Sequence, residues 1–204
     1  MIHIIDYGLG NVQAFVNTYK RLGIPTIRAI TPSDLDEAKK LILPGVGSFD
    51  HAMELLNESG MRPKLESLVL TDKVPVLGIC VGMQILANGS DEGVEKGLGW
   101  VNGAVHSFTS NSESASLPLP HMGWNDVIPT DSCPLFRGFE KDARFYFLHS
   151  YHFECFDKSN SAAQTTYGLE FDCTVQNDNV YGVQFHPEKS HHWGTGLLKN
   201  FAEL

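Results

Sequence analysis

Val76-Leu77-Gly78-Ile79-Cys80-Val81-Gly82-Met83-Gln84-Ile85-Leu86-Ala87 runs from a strand into a helix with a cysteine at the joint. Val76 to Ile79 is a short apolar run suited to a sheet interior, and Val81 to Ala87 begins a helix. Gly78 and Gly82 flank the cysteine, so neighbouring backbone can approach where a Cβ would clash. A Gly-x-Cys-x-Gly turn between strand and helix is an elbow, which holds its central residue at a sharp, strained bend. Cys80 then lies at a helix N-terminus, whose partial positive charge favours the thiolate. The same bend points the backbone N–H of Val81 at an oxyanion forming on a bound carbonyl. A lone cysteine is more often a small buried residue. The strand, the paired glycines and the helix together favour a nucleophile here.

Upstream, the alternation of strand and helix repeats. Ile2 to Ile5 reads as a buried strand, Asp6-Tyr7-Gly8-Leu9-Gly10-Asn11 as a glycine-rich turn, and Val12 to Leu22 as a helix closed by Gly23. Pro25 to Ile30 is the second strand, and Lys40 to Leu43 the third, ending in Pro44-Gly45-Val46-Gly47. Helices are expected around Phe49–Asn57 and Pro63–Leu70. This is the pattern of a parallel sheet with helices on both faces.

Downstream, the character changes. Leu98–Val101, Ala104–Phe108, Arg144–Tyr151, Phe171–Val175 and Val180–Phe185 are aromatic and β-branched, as antiparallel additions to the same sheet would be. Gly194 to Leu204 is expected as a last helix. The serine- and proline-rich stretch Ser107–Pro120 reads as a surface loop, and 204 residues fit one domain spanning 1–204.

Composition sets the outer limits. With 42% hydrophobic and 19% charged residues a normal core is available, and a net charge of −9 argues against a surface built for nucleic-acid backbones. The N-terminus lacks a signal peptide's basic flank, and no stretch approaches the roughly 20 apolar residues of a membrane span. Cys80, Cys133, Cys155 and Cys173 form no CxxC pair, which disfavours a metal knuckle or a disulfide framework. The expectation is a cytoplasmic enzyme without cofactor or metal.

Near the other end comes Gly182-Val183-Gln184-Phe185-His186-Pro187-Glu188. In extended chain His186 and Glu188 point to the same side. That suits a histidine base whose second ring nitrogen donates to a carboxylate, giving with Cys80 a Cys-His-Glu triad. Taken singly, His186 is better explained as a satisfied core histidine. A metal cluster of His186 and Glu188 with His191 and His192 is conceivable, but no ligand spacing fits well.

Taken together, Gly78 to Gln84 and His186-Pro187-Glu188 resemble the class I, triad-type glutamine amidotransferases over nearly the whole chain. The likeness extends to the HisH-like glutaminase subunits of imidazole glycerol phosphate synthase. It is carried by Asp6-Tyr7-Gly8 with Gly10-Asn11, Pro44 to Gly47, Pro120-His121-Met122-Gly123-Trp124-Asn125, His149-Ser150-Tyr151 and His186 to Ser190. The resemblance implies a three-layer, flavodoxin-like α/β fold and hydrolysis of glutamine through a thioester on Cys80. It also implies that Gln84 and Glu92 hold the substrate's α-amino end and that the backbone of His149, Ser150 and Tyr151 receives its α-carboxylate. Val46 and Gly47 would complete, with Val81, the oxyanion hole. Asn11, Trp124, Tyr146 and Lys189 would lie at a docking face for a separate HisF-type (β/α)8 cyclase, forming a heterodimer that uses the ammonia for histidine biosynthesis. Tyr146 and Trp124 are equally well read as core residues.

The sequence departs from the common pattern at Ala87-Asn88-Gly89, at Ser90-Asp91-Glu92 and at His191-His192-Trp193. None touches the triad. They leave open a paralogous glutaminase serving another synthase, such as one amidating a surface sugar. A free-standing thiol hydrolase and a non-catalytic scaffold fit the residues less well.

Overall fold

A computed structural model describes residues 1–112, 114, 116–130, 133–139 and 143–204. Its central sheet begins with β1 (Ile2–Ile5), β2 (Thr26–Ala29), β3 (Leu41–Gly45) and β4 (Val76–Cys80), all parallel, in the order β2-β1-β3-β4. Helix α1 (Val12–Arg21) connects β1 to β2. Helices α2 (Phe49–Glu58) and α3 (Arg62–Glu66) lie between β3 and β4. One connection moves outward past β1 and the other moves the opposite way, so right-handed crossovers place their helices on opposite faces. The short α4 (Val81–Gln84) follows β4 directly.

In the second half, β12 (Val180–Val183) joins β4 in parallel, and β11 (Leu169–Asn177), β10 (Ser161–Tyr167) and β7 (Ile128–Pro129) add to it antiparallel. A branch of β9 (Tyr151–Cys155) and β5 (Gly103–Ser107) leaves from β11. A separate two-stranded sheet pairs β6 (His121–Asp126) with β8 (Arg144–His149), and α5 (His191–Ala202) closes the chain. The mainly parallel α/β sheet with antiparallel extensions is the architecture the sequence implied. α1 and α5 are tied by Tyr19, whose hydroxyl donates to Leu198 O at 3.2 Å.

Several local expectations change. Arg144–Tyr151 is not one strand added to the main sheet: it breaks at Ser150, β8 pairing with β6 and β9 with β5 and β11. Leu98–Val101 is not a strand; the N–H groups of Leu98, Gly99 and Val101 donate to the carbonyls of Ile85, Ala87 and Leu86. Those carbonyls follow a helix of four residues and have no next turn to satisfy them. The helix after Cys80 is shorter than expected for the same reason: its continuation is replaced by this strap. Pro63–Leu70 begins as α3 and widens into a π-turn over Ser67–Thr71.

The stretch Ser107–Pro120 is mostly exposed among its described residues, as a surface loop should be, and two buried residues anchor it. Phe108 is fully buried against His149, His152 and Phe171, and Ser114 Oγ donates to Phe108 O at 2.6 Å. Residues 113 and 115 of that stretch lie outside the described residues. The last helix begins at His191, three residues earlier than its apolar spacing suggested, and β6 and β10 were not anticipated.

Candidate active site

Cys80 ends β4 with φ 56° and ψ −113°, a left-handed backbone that a side chain adopts at a cost. The packing around it enforces this. A Cβ on Gly82 would collide with Leu43 O, and one on Gly45 with Gly82 N, so β3 and α4 touch backbone to backbone. Gly45 pairs with Cys80 across the β3–β4 ladder, which places Val46 and Gly47 beside the thiol. Val46 is 41% exposed, and Gly47 sits at φ +88°.

The opposite wall comes from the end of β12. The chain does not run extended through His186, Pro187 and Glu188 as the sequence suggested. Pro187 opens a 3-10 turn over Pro187–Lys189, and His186 meets Glu188 across it, Nδ1 to Oε1 at 2.8 Å. Ser190 locks the turn: its hydroxyl donates to His186 O at 2.7 Å and accepts from Tyr146 N–H at 3.0 Å. Gly194 of α5 lies so close that a Cβ there would strike Pro187 O.

His186 lines the same cavity as Cys80. Burial by itself lowers the His186 pKa, but the hydrogen bonds and charges of Cys80 and Glu188 outweigh it and push it up to about 9. The Glu188 side chain is only 4% exposed, so the pair is shielded from screening by water. Burial pushes the Cys133 thiol up to about 11, and those of Cys155 and Cys173 higher still, so they stay protonated.

Cys80, Val81, Val46, Gly47, Gln84, Glu92, His149, Ser150, Tyr151, His186 and Lys189 all line one cavity of about 350 Å³, together with Pro120 and Leu148. Gln84 is buried; its Nε2 donates to Gln184 Oε1 at 3.0 Å and to Tyr151 O at 3.4 Å. Glu92 Oε2 accepts the N–H of Phe49 at 2.8 Å and so caps α2, whose own N-cap Ser48 makes no side-chain bond. His149 Nδ1 lies 2.7 Å from Tyr151 O, and burial, countered only in part by that bond, lowers its pKa to about 3.

Two participants were not singled out from sequence. Gln184 is fully buried with Nε2 3.8 Å from Cys80 Sγ, so it links the thiol to Gln84. Tyr7 donates its hydroxyl to Pro44 O at 2.8 Å and ties β1 to the loop that ends at Gly47. The period-2 placement of Gln184 before His186 was a usable signal for the first. Nothing in the local sequence pointed to the second, a contact between distant strands.

The four residues expected at a docking face divide. Trp124 is 39% exposed and stands opposite Tyr146 on the β6–β8 ladder; Lys189 Nζ lies 5.8 Å over the Tyr146 ring. These three form one cluster, and Trp124 is no core residue. Asn11 is exposed and accepts the Ala14 N–H at 3.2 Å as the cap of α1. His191 stacks on Trp124 at 5.2 Å, and His192 leans on Trp193. Among the described residues, no three His, Cys, Asp or Glu side chains gather so as to hold a metal ion. Among the same residues, no helix is long and apolar enough to cross a membrane.

The arrangement places a thiol at a strained bend, an imidazole that shares its cavity and meets a buried carboxylate, and a pocket at the small end of ligand sites. Comparison with known proteins points the same way. Solved structures of a glutamine amidotransferase (TM-score 0.77, 20% identity, 99% of this chain and 97% of that one) and of PurLQS from Thermotoga maritima (0.73, 17%, 99% and 97%) share the fold. The chain is 65% identical over its full length and that of its relative to the imidazole glycerol phosphate synthase subunit HisH of Bdellovibrio bacteriovorus. It is 50% identical, again over the full length of both, to the HisH of Leptospira borgpetersenii. Since the family model for class-I glutamine amidotransferases also matches residues 3–204, the chain belongs to that family and, within it, to the HisH subunits.

Proposed function

We propose that residues 1–204 form one amidotransferase domain that hydrolyses L-glutamine to L-glutamate and ammonia and passes the ammonia to a HisF-type (β/α)8 cyclase in a heterodimer. The observation that carries this reading is that Cys80 lines one cavity with Gln84, Glu92 and His186, whose Nδ1 lies 2.8 Å from the buried Glu188 carboxylate.

The chemistry follows from the protonation states. With His186 charged, Cys80 reacts as the thiolate and attacks the side-chain amide carbon. The resulting oxyanion is met by the N–H of Val81 and by the Val46–Gly47 peptide. The imidazolium gives its proton to the amide nitrogen, the C–N bond breaks, and ammonia leaves a glutamyl thioester. Neutral His186 then takes a proton from water, the hydroxide displaces the sulfur, and glutamate departs with the thiolate restored. Glu188 keeps the histidine oriented and stabilises its charged form.

Both Gln84 Nε2 protons are committed to protein acceptors, so the atom it offers a ligand is the carbonyl oxygen, an acceptor suited to an α-ammonium group. Glu92 adds negative charge on the same side, and the backbone of His149 to Tyr151 receives the α-carboxylate. On the outer face, Met122 and Trp124 of β6 are 64% and 39% exposed beside Tyr146 and Lys189; with Asn11 they supply the docking surface for the cyclase. Curated relatives are named as subunits of imidazole glycerol phosphate synthase, which supports histidine biosynthesis as the setting. The reading places the chain in the cytoplasm, where four free buried cysteines stay reduced.

The test is glutamate release by the purified chain, alone and with a HisF-type cyclase and its nucleotide substrate. Weak turnover alone that rises by orders of magnitude in the mixture is expected. Full activity alone, or no response to the cyclase, would overturn the assignment of partner.

A further inference from the structure

Strand β6 carries two side chains for which neither the triad nor the docking face has a use. Its residues alternate, with Met122 and Trp124 exposed and His121 and Asn125 turned inward. The inward pair joins a directional chain of hydrogen bonds that ends in the cavity wall. Asn125 Nδ2 lies 2.9 Å from Thr166 O and 3.3 Å from His121 Nε2. His121 Nδ1 is 2.9 Å from His149 Nε2, and His149 Nδ1 is 2.7 Å from Tyr151 O.

Both ends of this chain fix its polarity. Asn125 Oδ1 accepts the Asp126 N–H at 2.9 Å while Nδ2 faces the Thr166 carbonyl, so the amide can sit only one way round. An amide nitrogen donates, so His121 Nε2 accepts and its proton is on Nδ1. At the other end a carbonyl can only accept, so His149 also carries its proton on Nδ1 and leaves Nε2 as an acceptor. The two nitrogens in the middle then match, donor to acceptor, with both rings neutral. Burial agrees with this: it lowers the pKa of His121 to about 4, as it lowers that of His149. The His121 ring is held flat between Phe147, at 4.8 Å, and Tyr167, at 4.2 Å.

We propose that His121 and Asn125 are positioning residues for glutamine binding: they hold His149 in one tautomer and one orientation, and thereby fix the Ser150–Tyr151 backbone that takes the substrate's α-carboxylate. The inference rests on the glutaminase reading and adds to it the part of the molecule that sets substrate affinity. Tyr151 O, where the chain ends, also accepts from Gln84, so the relay braces both sides of the amino-acid site. A second consequence concerns proton traffic. His149 shares the cavity with His186, and His121 occupies its basic nitrogen, so of the two cavity histidines only His186 is left to act as base.

The experiment is glutaminase kinetics of the assembled complex with the cyclase. His121→Phe keeps the stack and removes the donor to His149; KM for glutamine is expected to rise about tenfold with kcat within about threefold, the signature of lost uniform binding. His121→Asn restores an N–H near the position of Nδ1 and should return KM to within about threefold of wild type. Asn125→Leu should move KM in the same direction by less. Alkylation of Cys80 by iodoacetamide should proceed at the wild-type rate in all three. Nitrogen NMR of the unsubstituted protein, labelled on histidine, should show Nδ1–H tautomers for both His121 and His149. An unmoved KM in His121→Phe would overturn the proposal. So would matched losses in kcat and affinity that His121→Asn does not relieve, or an Nε2–H tautomer on either ring. The NMR measurement decides the matter even if a variant fails to fold. Absence of glutamine hydrolysis by the wild-type complex would instead remove the functional reading itself.

Discussion

Two buried histidines border the cavity, and their surroundings are opposites. His186 lies between a thiol and a carboxylate and keeps its proton up to about 9; His149 lies between an imidazole and a carbonyl and stays neutral down to about 3. Burial lowers the pKa of both. What separates them is their partners: the Glu188 carboxylate and the Cys80 sulfur raise the pKa of His186, whereas His149 meets neutral groups at both ring nitrogens. One cavity thus carries a charged and a neutral histidine on its wall. Partner choice, more than burial, decides which is which.

The largest effect should come from breaking the His186 side. Cys80→Ala is expected to abolish glutamine-dependent synthesis by the complex and to spare synthesis from added ammonia. His186→Ala should cost about as much, about a thousandfold or more in kcat, because members of a triad act as a unit. Loss of the ammonia-dependent reaction as well would mean that Cys80 is structural; near-normal turnover without His186 would remove it from the mechanism.

A milder change sharpens the contrast. Glu188→Gln leaves His186 with a neutral partner, as His149 has, and should lower kcat by about a hundredfold. Wild-type turnover should fall as pH rises past about 9, where His186 loses the proton it must donate. In the Glu188→Gln protein that alkaline limb should move to lower pH, since the carboxylate that helps raise the pKa is gone. A limb that stays in place would show that Cys80 alone sustains the charge.

Gly194→Ala tests the scaffold behind the turn. The added Cβ meets Pro187 O, which cannot retreat without shifting His186 and Glu188 together. The expected outcome is a loss of about 1–3 kcal/mol in unfolding free energy and about tenfold in kcat, read by denaturant titration and by steady-state rates. Full activity with unchanged stability would show that α5 can move away independently of the turn.

How much of this could be read from the sequence differs between the two histidines. Cys80 and its glycines were legible because the elbow is local: strand, bend and helix are consecutive, and Gly78 and Gly82 answer contacts within a few residues or on the next strand. His186 and Glu188 were legible as a pair, though their contact forms across a 3-10 turn that Pro187 begins, not along an extended strand. The parallel half of the sheet followed from its repeated strand–helix alternation. His149 was named through the resemblance, but its contact with His121 was not legible. Its partner His121 is supplied by a strand 28 residues earlier, and the register His121↔His149 is set by a two-stranded sheet whose first strand carries Gly123 and was not anticipated. Likewise Tyr7 reaches Pro44 across the sheet, a contact without local periodicity. Long-range pairings that place one side chain on another leave little trace in spacing.

The smallest expected effect lies in stability against pH, where the two histidines should pull in opposite directions. His186 has a folded pKa above its unfolded value near 6.5, so the folded state binds the extra proton between 6.5 and about 9. Its contribution is complete below 6.5 and is lost as pH rises through 9. His149 and His121 have folded values near 3 and 4, so below 6.5 the unfolded chain binds the extra protons, and their burial destabilises the fold progressively as pH falls. Unfolding free energy measured by denaturant titration should therefore decline on both sides of about 6.5. In His186→Ala the decline between 6.5 and 9 should be relieved while the acid decline persists, since the carboxylates and the His121–His149 pair are untouched. In His121→Phe the acid decline should become shallower, because one neutral buried imidazole is removed, while the alkaline side keeps its slope. If His186→Ala left the alkaline decline unchanged, the proton held at neutral pH would belong to another group, and the contrast between the two histidines would fail at its root.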